Sequence, residues 1–414
     1  MPNPIDPMNV AIITIGNEIL LGKTINTNMA YLGSQLATLG FNLELAKTIK
    51  DDPETIKKAL QDTWGKFEVV ITTGGLGPTE DDLTKATIAD FFGCEIHFDE
   101  AVWNHVQSLF AKRDLPTPEN NRCQAMVPDG FTALENARGT APGLHYCKDG
   151  KHFFALQGVP VEMQYIFETH IVGILKHYYP KMMGITQRTL HTHGISESRL
   201  AELFFVKDLP ADVSVAWLPQ TGRVDMRFYG YYPEAVDIAI NRALKSVGSY
   251  VWGVDNETPA QVLLQLLSKK SNTISVAESC TGGLVGKLLS DIPGSSNSFM
   301  GGVIAYHDEI KINVLNVSSE TLFSQGAVSE QCATEMVAGI KALTKSNYAL
   351  SLTGIAGPGG GTELKPIGSV HFGFAAKDFI WSKKQVFNGD RNSIRFKAAE
   401  YAILELIRHE QCRD

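Results

Sequence analysis

Ser279 stands in Glu278-Ser279-Cys280-Thr281-Gly282-Gly283, directly after an apolar run and at the start of a helical pattern. A hydroxyl on a strand-to-helix turn can meet a ligand there. The unpaired amides of the first helical turn add the positive end of the helix dipole. Together they offer a nucleophile and donors for an oxyanion. The same residues also suit an ordinary helix cap. Gly282 to Lys287 resembles a phosphate-binding P-loop, but one residue is missing between the glycines and Leu288 replaces the required Ser or Thr. No G-x-S-x-G or S-x-x-K pattern surrounds Ser279.

Two further segments could cradle an anion. Thr353-Gly354-Ile355-Ala356-Gly357-Pro358-Gly359-Gly360-Gly361 ends an apolar run, and its glycines let backbone N–H groups approach a ligand. Arg391 and Arg395, four residues apart at a helix start, suit a phosphate or an exposed charge pair. In the first half, Thr72-Thr73-Gly74-Gly75-Leu76-Gly77-Pro78-Thr79-Glu80-Asp81-Asp82 combines a Gly-rich turn with carboxylates able to hold a divalent metal. A capped turn, with Asp81 and Asp82 favouring the helix N-terminus, explains the same residues.

Positioning these groups requires strands that end at them. Asn9–Ile15 and Phe67–Thr73 read as buried strands, Phe41–Ile49 as a third, and 28–39 and Pro53–Trp64 as helices. Such alternation predicts an α/β layered fold with a largely parallel sheet. Ligands then lie beyond the carboxyl ends of the strands, where Gly16 and Gly74 fall. From 184 to 254 the pattern changes to a small α+β unit: strands at Gln187–His193, Val213–Leu218 and Arg223–Tyr229, helices at Ser196–Phe205 and Pro233–Ser246. From 257 to 412 the α/β alternation returns, with strands at Thr273–Ala277, Phe299–Tyr306, Tyr348–Thr353 and Ser369–Phe374. Helices are expected at 282–290, 329–344 and 391–409.

The chain of 414 residues has room for several domains at roughly 100–200 residues each. Its net charge of -8 argues against nucleic acid or an anionic membrane as the main partner. Six cysteines without C-x-x-C spacing fit a reduced, cytoplasmic protein rather than a zinc knuckle. The start of the chain lacks the pattern of a signal peptide, and no apolar run reaches the ~18 residues of a membrane helix.

Ordered blocks carry a resemblance. Ala277–Gly283, Pro293-Gly294-Ser295-Ser296, Phe299–Tyr306, Gly326–Glu330, Thr353–Gly360, Lys365–Gly368 and Gly389-Asp390-Arg391 resemble the C-terminal domain of the CinA family. That family includes amidohydrolases that convert nicotinamide mononucleotide (NMN) to nicotinate mononucleotide and ammonia, without a cofactor. The resemblance implies a catalytic set of Ser279, Tyr306 and Lys311. It implies oxyanion and substrate contacts at Cys280, Thr281, Gly282 and Gly283, and a phosphate subsite at Gly294, Ser296, Thr353, Gly354, Gly357, Gly359 and Arg391.

The 74–84 motif, with Gly16-Asn17-Glu18, Asn26-Thr27-Asn28 and Asn136–Gly143, resembles the molybdopterin-binding domain at the N-terminus of CinA proteins. Some relatives hydrolyse ADP-ribose there with a divalent metal (Mg, Mn or Co). The resemblance implies a nucleotide site of Gly16, Glu18, Asn28, Gly74, Gly75 and Gly77, and metal ligands Asp82 and Asp51. Gln157 departs from the Pro-Gly-Val-Pro of many relatives, a change of turn rather than of chemistry. The middle stretch resembles the KH-like connecting domain but lacks the G-x-x-G loop of nucleic-acid-binding KH modules.

The expected architecture is two α/β layered domains with largely parallel sheets, 8–179 and 257–412, joined by the KH-like α+β domain 184–254, in a cytoplasmic homodimer. The functional expectation is NMN deamidation with a second ADP-ribose pyrophosphatase activity. The alternative is a non-catalytic nucleotide- or pterin-binding protein of the competence or DNA-damage response. Molybdenum-cofactor synthesis is weakened by fusion to an amidohydrolase-like domain.

Overall fold

The computed structural model describes residues 8–79, 82–220, 223–377 and 379–411. Glu80 and Asp81 of the acidic motif lie outside the described residues, as does Cys412, the expected end of the third stretch. The chain forms two compact units, one ending at Thr186 and the other beginning at Gln187.

In the first unit, β1 (Met8–Ile15), β2 (Phe41–Ile49), β3 (Val69–Thr73), β4 (Thr132–Leu134), β5 (Gly143–Lys148) and β6 (Lys151–Leu156) form one sheet. Their order is β2-β1-β3-β6-β5-β4. The four strands β2, β1, β3 and β6 run parallel, and β5 and β4 add an antiparallel edge. Alternation along β1 explains the layers. Val10 and Ile12 join a core with Leu32 and Leu36 of helix α1 (Thr27–Thr38). Ala11, Ile13 and Ile15 join a second core with Ile56 and Leu60 of α2 (Pro53–Thr63) and Ile88 of α3 (Thr84–Phe92). A sheet covered on both faces needs such continuously apolar strands. Asp52 caps α2 by accepting the Thr55 N–H at 2.9 Å, with Pro53 opening the helix.

The second unit holds two sheets. β7 (Thr186–His193), β8 (Ser214–Gln220), β9 (Arg223–Gly230) and β10 (Val251–Val254) are ordered β8-β9-β7-β10. Helices α4 (Glu197–Leu203) and α5 (Pro233–Val247) supply its core through Leu200, Val236 and Ile240. The other sheet contains β11 (Ile274–Glu278), β12 (Phe299–Ile304), β13 (Tyr348–Gly354), β14 (Ser369–Ala376) and β15 (Phe379–Val386), ordered β12-β11-β13-β14-β15. Here β12, β11 and β13 are parallel, whereas β14 and β15 are antiparallel additions. Helices α6 (Pro259–Lys269), α7 (Leu284–Ser290), α8 (Asp308–Leu315), α9 (Glu330–Thr344) and α10 (Arg391–Gln411) cover it. Thr258 caps α6 through the Gln261 N–H at 3.3 Å.

Among the described residues no helix is long and apolar enough to cross a membrane.

Candidate functional site

Parallel alignment of β12, β11 and β13 brings their carboxyl ends to one edge, where Ser279 follows β11. Its N–H donates to Leu352 O of β13 at 2.9 Å, which pins the turn between neighbouring strands. Ser279 is 9% exposed, and its hydroxyl forms no hydrogen bond among the described residues. Gly283 has φ 94, a left-handed conformation that needs glycine, and enters α7 there.

Glu278 corrects one expectation. Its carboxylate, 1% exposed, accepts N–H donors from Gly283 and Val285 at 3.0 Å each and from Gly286 at 2.8 Å. The last residue of β11 therefore occupies the positive end of α7 itself. The Gly282 N–H donates to Ser279 O at 3.1 Å. Of the four amides expected to face an oxyanion, those of Gly282 and Gly283 are thus engaged. Those of Cys280 and Thr281 stand beside the Cys280 sulfur. Burial pushes that thiol up to about 12, so Cys280 is not a thiolate at neutral pH.

Tyr306 comes two residues after β12, and the preceding Ala305 N–H donates to Glu278 O at 2.7 Å. Lys311 on α8 is 1% exposed. Its Nζ donates to Tyr306 O at 3.2 Å and pairs with Asp308 Oδ1 at 3.1 Å. Arg391, the first residue of α10, donates Nη2 to Tyr306 Oη at 2.9 Å and Nη1 to Gly357 O at 2.7 Å. Arg395, one turn later, donates to Thr281 O at 2.7 Å. The first turns of α10 therefore tie the Ser279 turn, Tyr306 and the Gly-rich loop together.

The remaining expected contacts divide. Thr353 donates its hydroxyl to Ala327 O at 2.6 Å, anchoring the end of β13 rather than facing a ligand. Gly354 remains paired with Val370 of β14. Gly359 is exposed, as are Gly294 and Ser296 around a short 3-10 turn before β12.

In the first unit a cavity of about 330 Å³ is lined by Gly75, Gly77 and Asp82 together with Gln124, Gln157 and Glu162. A smaller one, about 90 Å³, is lined by Glu18, Asn28 and Thr73, and both share Gly158. Gly16 and Gly74 hold the strand ends: their N–H groups donate to Ile49 O at 3.1 Å and Leu156 O at 2.9 Å. Gly74 has φ 112, and a β-carbon there would overlap Ile15 O. At Gly75 a β-carbon would strike Thr84 Oγ1 and lie 3.3 Å from Asp51 Oδ2. Asp82 Oδ2 accepts both the N–H (3.0 Å) and the hydroxyl of Thr79, closing its own turn.

Among the described residues, four buried oxygens in this region have no hydrogen-bond partner: Asn28 Oδ1, Thr73 Oγ1, Thr84 Oγ1 and Gln157 Oε1. Each such group costs on the order of 1–3 kcal/mol unless water or a ligand pairs with it. Among the described residues, no group of three His, Cys, Asp or Glu side chains is arranged to hold a metal ion.

Comparison with known proteins accords with this division. Residues 256–410 match the CinA C-terminal domain, and residues 11–177 match the family described as "Probable molybdopterin binding domain". A relative from Caldicellulosiruptor bescii, bearing the name competence-damage inducible protein, is 39% identical over 406 residues. That alignment spans 96% of this chain and 98% of the relative. The chain belongs to the CinA family. A CinA-like protein of Dictyoglomus thermophilum is also 39% identical, over 94% of this chain and 96% of its own. The crystal structure of competence/damage inducible protein CihA from Agrobacterium tumefaciens is 35% identical, covering 37% of this chain and 93% of that one, with a TM-score of 0.36.

Several residues of this CinA-family chain escape motif reading. Glu278 sits inside a quoted block, but only its geometry reveals its three amide contacts. Gln157 does more than alter a turn: its Nε2 donates to Ala141 O and Pro142 O, both at 2.7 Å, and cross-links two loops of the cavity. Burial raises the Glu162 carboxyl above its ordinary value, against a hydrogen bond from Asn136 that lowers it. Burial also brings the Lys85 ammonium, close to Asp82, down to about 8. No local pattern marks Glu162 or Lys85, because each is set by segments distant in sequence.

Proposed function

We propose that the Ser279 site hydrolyses the carboxamide of NMN to nicotinate mononucleotide and ammonia, with no cofactor. The observation that supports this best is the Ser279 hydroxyl, without a hydrogen-bond partner among the described residues, on a turn bonded to Leu352, Ala305 and Arg395 and next to the strand end that carries Tyr306. Ser279 Oγ attacks the carboxamide carbon while its proton passes to Lys311, directly or through Tyr306. Arg391 donates to Tyr306 Oη, which leaves the phenol proton free to donate elsewhere. The Cys280 and Thr281 amides are the donors left for the oxyanion. The proton then passes from Lys311 to the departing nitrogen, the C–N bond breaks, ammonia leaves, and water cleaves the serine ester to the acid, returning a proton to Ser279. The substrate phosphate is assigned in this reading to Arg391 and the Gly357 loop. Ammonia release from NMN by the pure protein tests the reading, and activity retained by Ser279→Ala overturns it.

For the first unit the proposal is metal-dependent hydrolysis of the ADP-ribose pyrophosphate. The donors present fit a hard divalent cation (Mg, Mn or Co). Asp51 and the unpartnered Thr84 hydroxyl converge at Gly75, and Asp82 lies at Gly77. Such cations are commonly held by one or two carboxylates, with water and phosphate oxygens completing the shell. When bound, the ion would neutralise pyrophosphate charge. The chain itself brings backbone N–H groups of the Gly-rich turn and the Glu162 carboxyl to the same cavity. Asp82→Ala is expected to abolish ADP-ribose hydrolysis and leave NMN deamidation intact.

A cytoplasmic homodimer completes the proposal. Met300, Ile304 and Tyr306 are more than half exposed at the edge strand β12 or just beyond it, a surface suited to a second copy. Light scattering tests this.

A further inference from the structure

A buried cation on α8 is tied to a carboxylate that the serine chemistry has not used. The Lys311 side chain is 1% exposed, and its Nζ has two acceptors among the described residues: Tyr306 O at 3.2 Å and Asp308 Oδ1 at 3.1 Å. Asp308 and Lys311 stand three residues apart, on one face of the first helical turn. Asp308 does not cap that helix. His307 does, its Nδ1 accepting the Glu309 N–H at 3.3 Å. The Asp308 carboxylate, 54% exposed, reaches from solvent to the buried ammonium.

Other charged groups nearby are engaged elsewhere. Cys332 of α9 is fully buried beside Lys311, and burial pushes its thiol up to about 11, so it is a neutral neighbour. Glu335 and Lys365 also lie around that thiol. Glu335 accepts the Ser318 N–H at 2.8 Å and the Thr321 hydroxyl at 2.7 Å, and Lys365 donates to Gln325 O at 2.7 Å. Among the described residues, Asp308 is therefore the carboxylate paired with Lys311.

A base that takes a proton in a buried site becomes a cation there, and a buried cation without a paired anion is costly. Serine hydrolases with a histidine base meet this need with a carboxylate. It orients the base and stabilises its charged form without taking the proton. Asp308 stands in that relation to Lys311.

We infer that Asp308 is a positioning residue of the Ser279 site, the third group after the nucleophile and its base. The inference rests on the reading of Ser279 as nucleophile and Lys311 as base. As Ser279 Oγ bonds to the carboxamide carbon, its proton passes to the Lys311 lone pair, directly or through Tyr306. Asp308 stays ionised, accepts an N–H of the resulting ammonium and holds the nitrogen against Tyr306 O.

Two variants and two rates test this. Asp308→Asn keeps the shape and an acceptor oxygen but removes the charge, whereas Asp308→Glu keeps the charge; circular dichroism establishes that both are folded. NMN turnover is followed from about pH 6 to about pH 10, and so is covalent labelling of Ser279 by phenylmethanesulfonyl fluoride, read by mass spectrometry. In the labelling the Oγ–S bond forms, fluoride leaves and Lys311 takes the proton, so an activated serine is required but NMN is not. For Asp308→Asn the alkaline plateau of both rates is expected to fall about 10-fold, with KM for NMN unchanged. That plateau should also be reached at lower pH, because no carboxylate then favours the ammonium. Asp308→Glu should recover most of the plateau. Superimposable profiles for the natural protein and Asp308→Asn, a loss that Asp308→Glu does not recover, or no labelling of Ser279 overturns the inference. Carboxylate-dependent labelling without NMN turnover supports it and overturns the substrate assignment instead.

Discussion

Arg391 grips Tyr306 and Gly357 at once, one guanidinium nitrogen donating to the phenol oxygen at 2.9 Å and another to the carbonyl at 2.7 Å. A planar fork with fixed donor directions makes both bonds; a lysine ammonium at the end of a flexible stem cannot hold the same pair. Arg391→Lys is therefore expected to lower kcat/KM for NMN by about 10–100-fold, on the order of 1.5–3 kcal/mol. Steady-state kinetics checks this, and a change below twofold contradicts the positioning role.

Glu278 predicts a stability effect. Its buried carboxylate accepts three amides at the start of α7. Glu278→Ala strands those donors and should destabilise the second unit by on the order of 3 kcal/mol. Thermal unfolding with and without the substitution measures it. A shift no larger than that of an exposed Glu→Ala control contradicts the assignment.

Cys280 adjoins the proposed nucleophile, yet burial holds its thiol up at about 12. Iodoacetamide at pH 8 is expected to label the exposed Cys123 and Cys147 and to spare Cys280 in the folded protein. Peptide mapping by mass spectrometry reads the outcome, and rapid labelling of Cys280 contradicts the description of its surroundings.

Acid should weaken the second unit through Glu405. Burial acts to raise this carboxyl, but His193 and Lys383 outweigh it and hold the pKa at about 2, below the ordinary 4.5. A depressed carboxylate contributes its stabilisation fully above the unfolded value and loses it as pH falls through the folded one. The loss falls between about 4.5 and 2, on the order of 3 kcal/mol. Glu405→Gln should be less stable than the natural chain at pH 6, with the difference shrinking at pH 2.5. Denaturant titrations at both values measure it.

The strands that carry the candidate sites were legible because their patterns are strong. Tyr348–Gly354 and Val69–Thr73 are buried apolar runs ended by glycine, and both lie within two residues of the reading. Strand β15 was not legible: Phe379–Val386 contains Lys383 and Lys384 and forms an exposed edge, so its ladder partner, not its periodicity, makes it a strand. The same distinction separates site residues. Ser279, Tyr306 and Arg391 belong to recognisable blocks, and the fold joins the last two through Arg391 itself. Glu162 and Gln157 acquire meaning only when loops far apart in the chain close on one cavity, and Thr84 only when it packs against Gly75. Spacing along the chain also could not show that Glu278 fills the helix end reserved for an oxyanion, since that depends on one rotamer.

The central claim is that Ser279 is a nucleophile acting on a carboxamide. Ammonia release from NMN, followed for the natural protein and for Ser279→Ala after both are verified as folded, tests it most directly. Turnover by the natural protein, with at least a 1000-fold loss in the variant, on the order of 4 kcal/mol of transition-state stabilisation, is the expected result. Equal turnover by both proteins, or none by the natural one, contradicts the account.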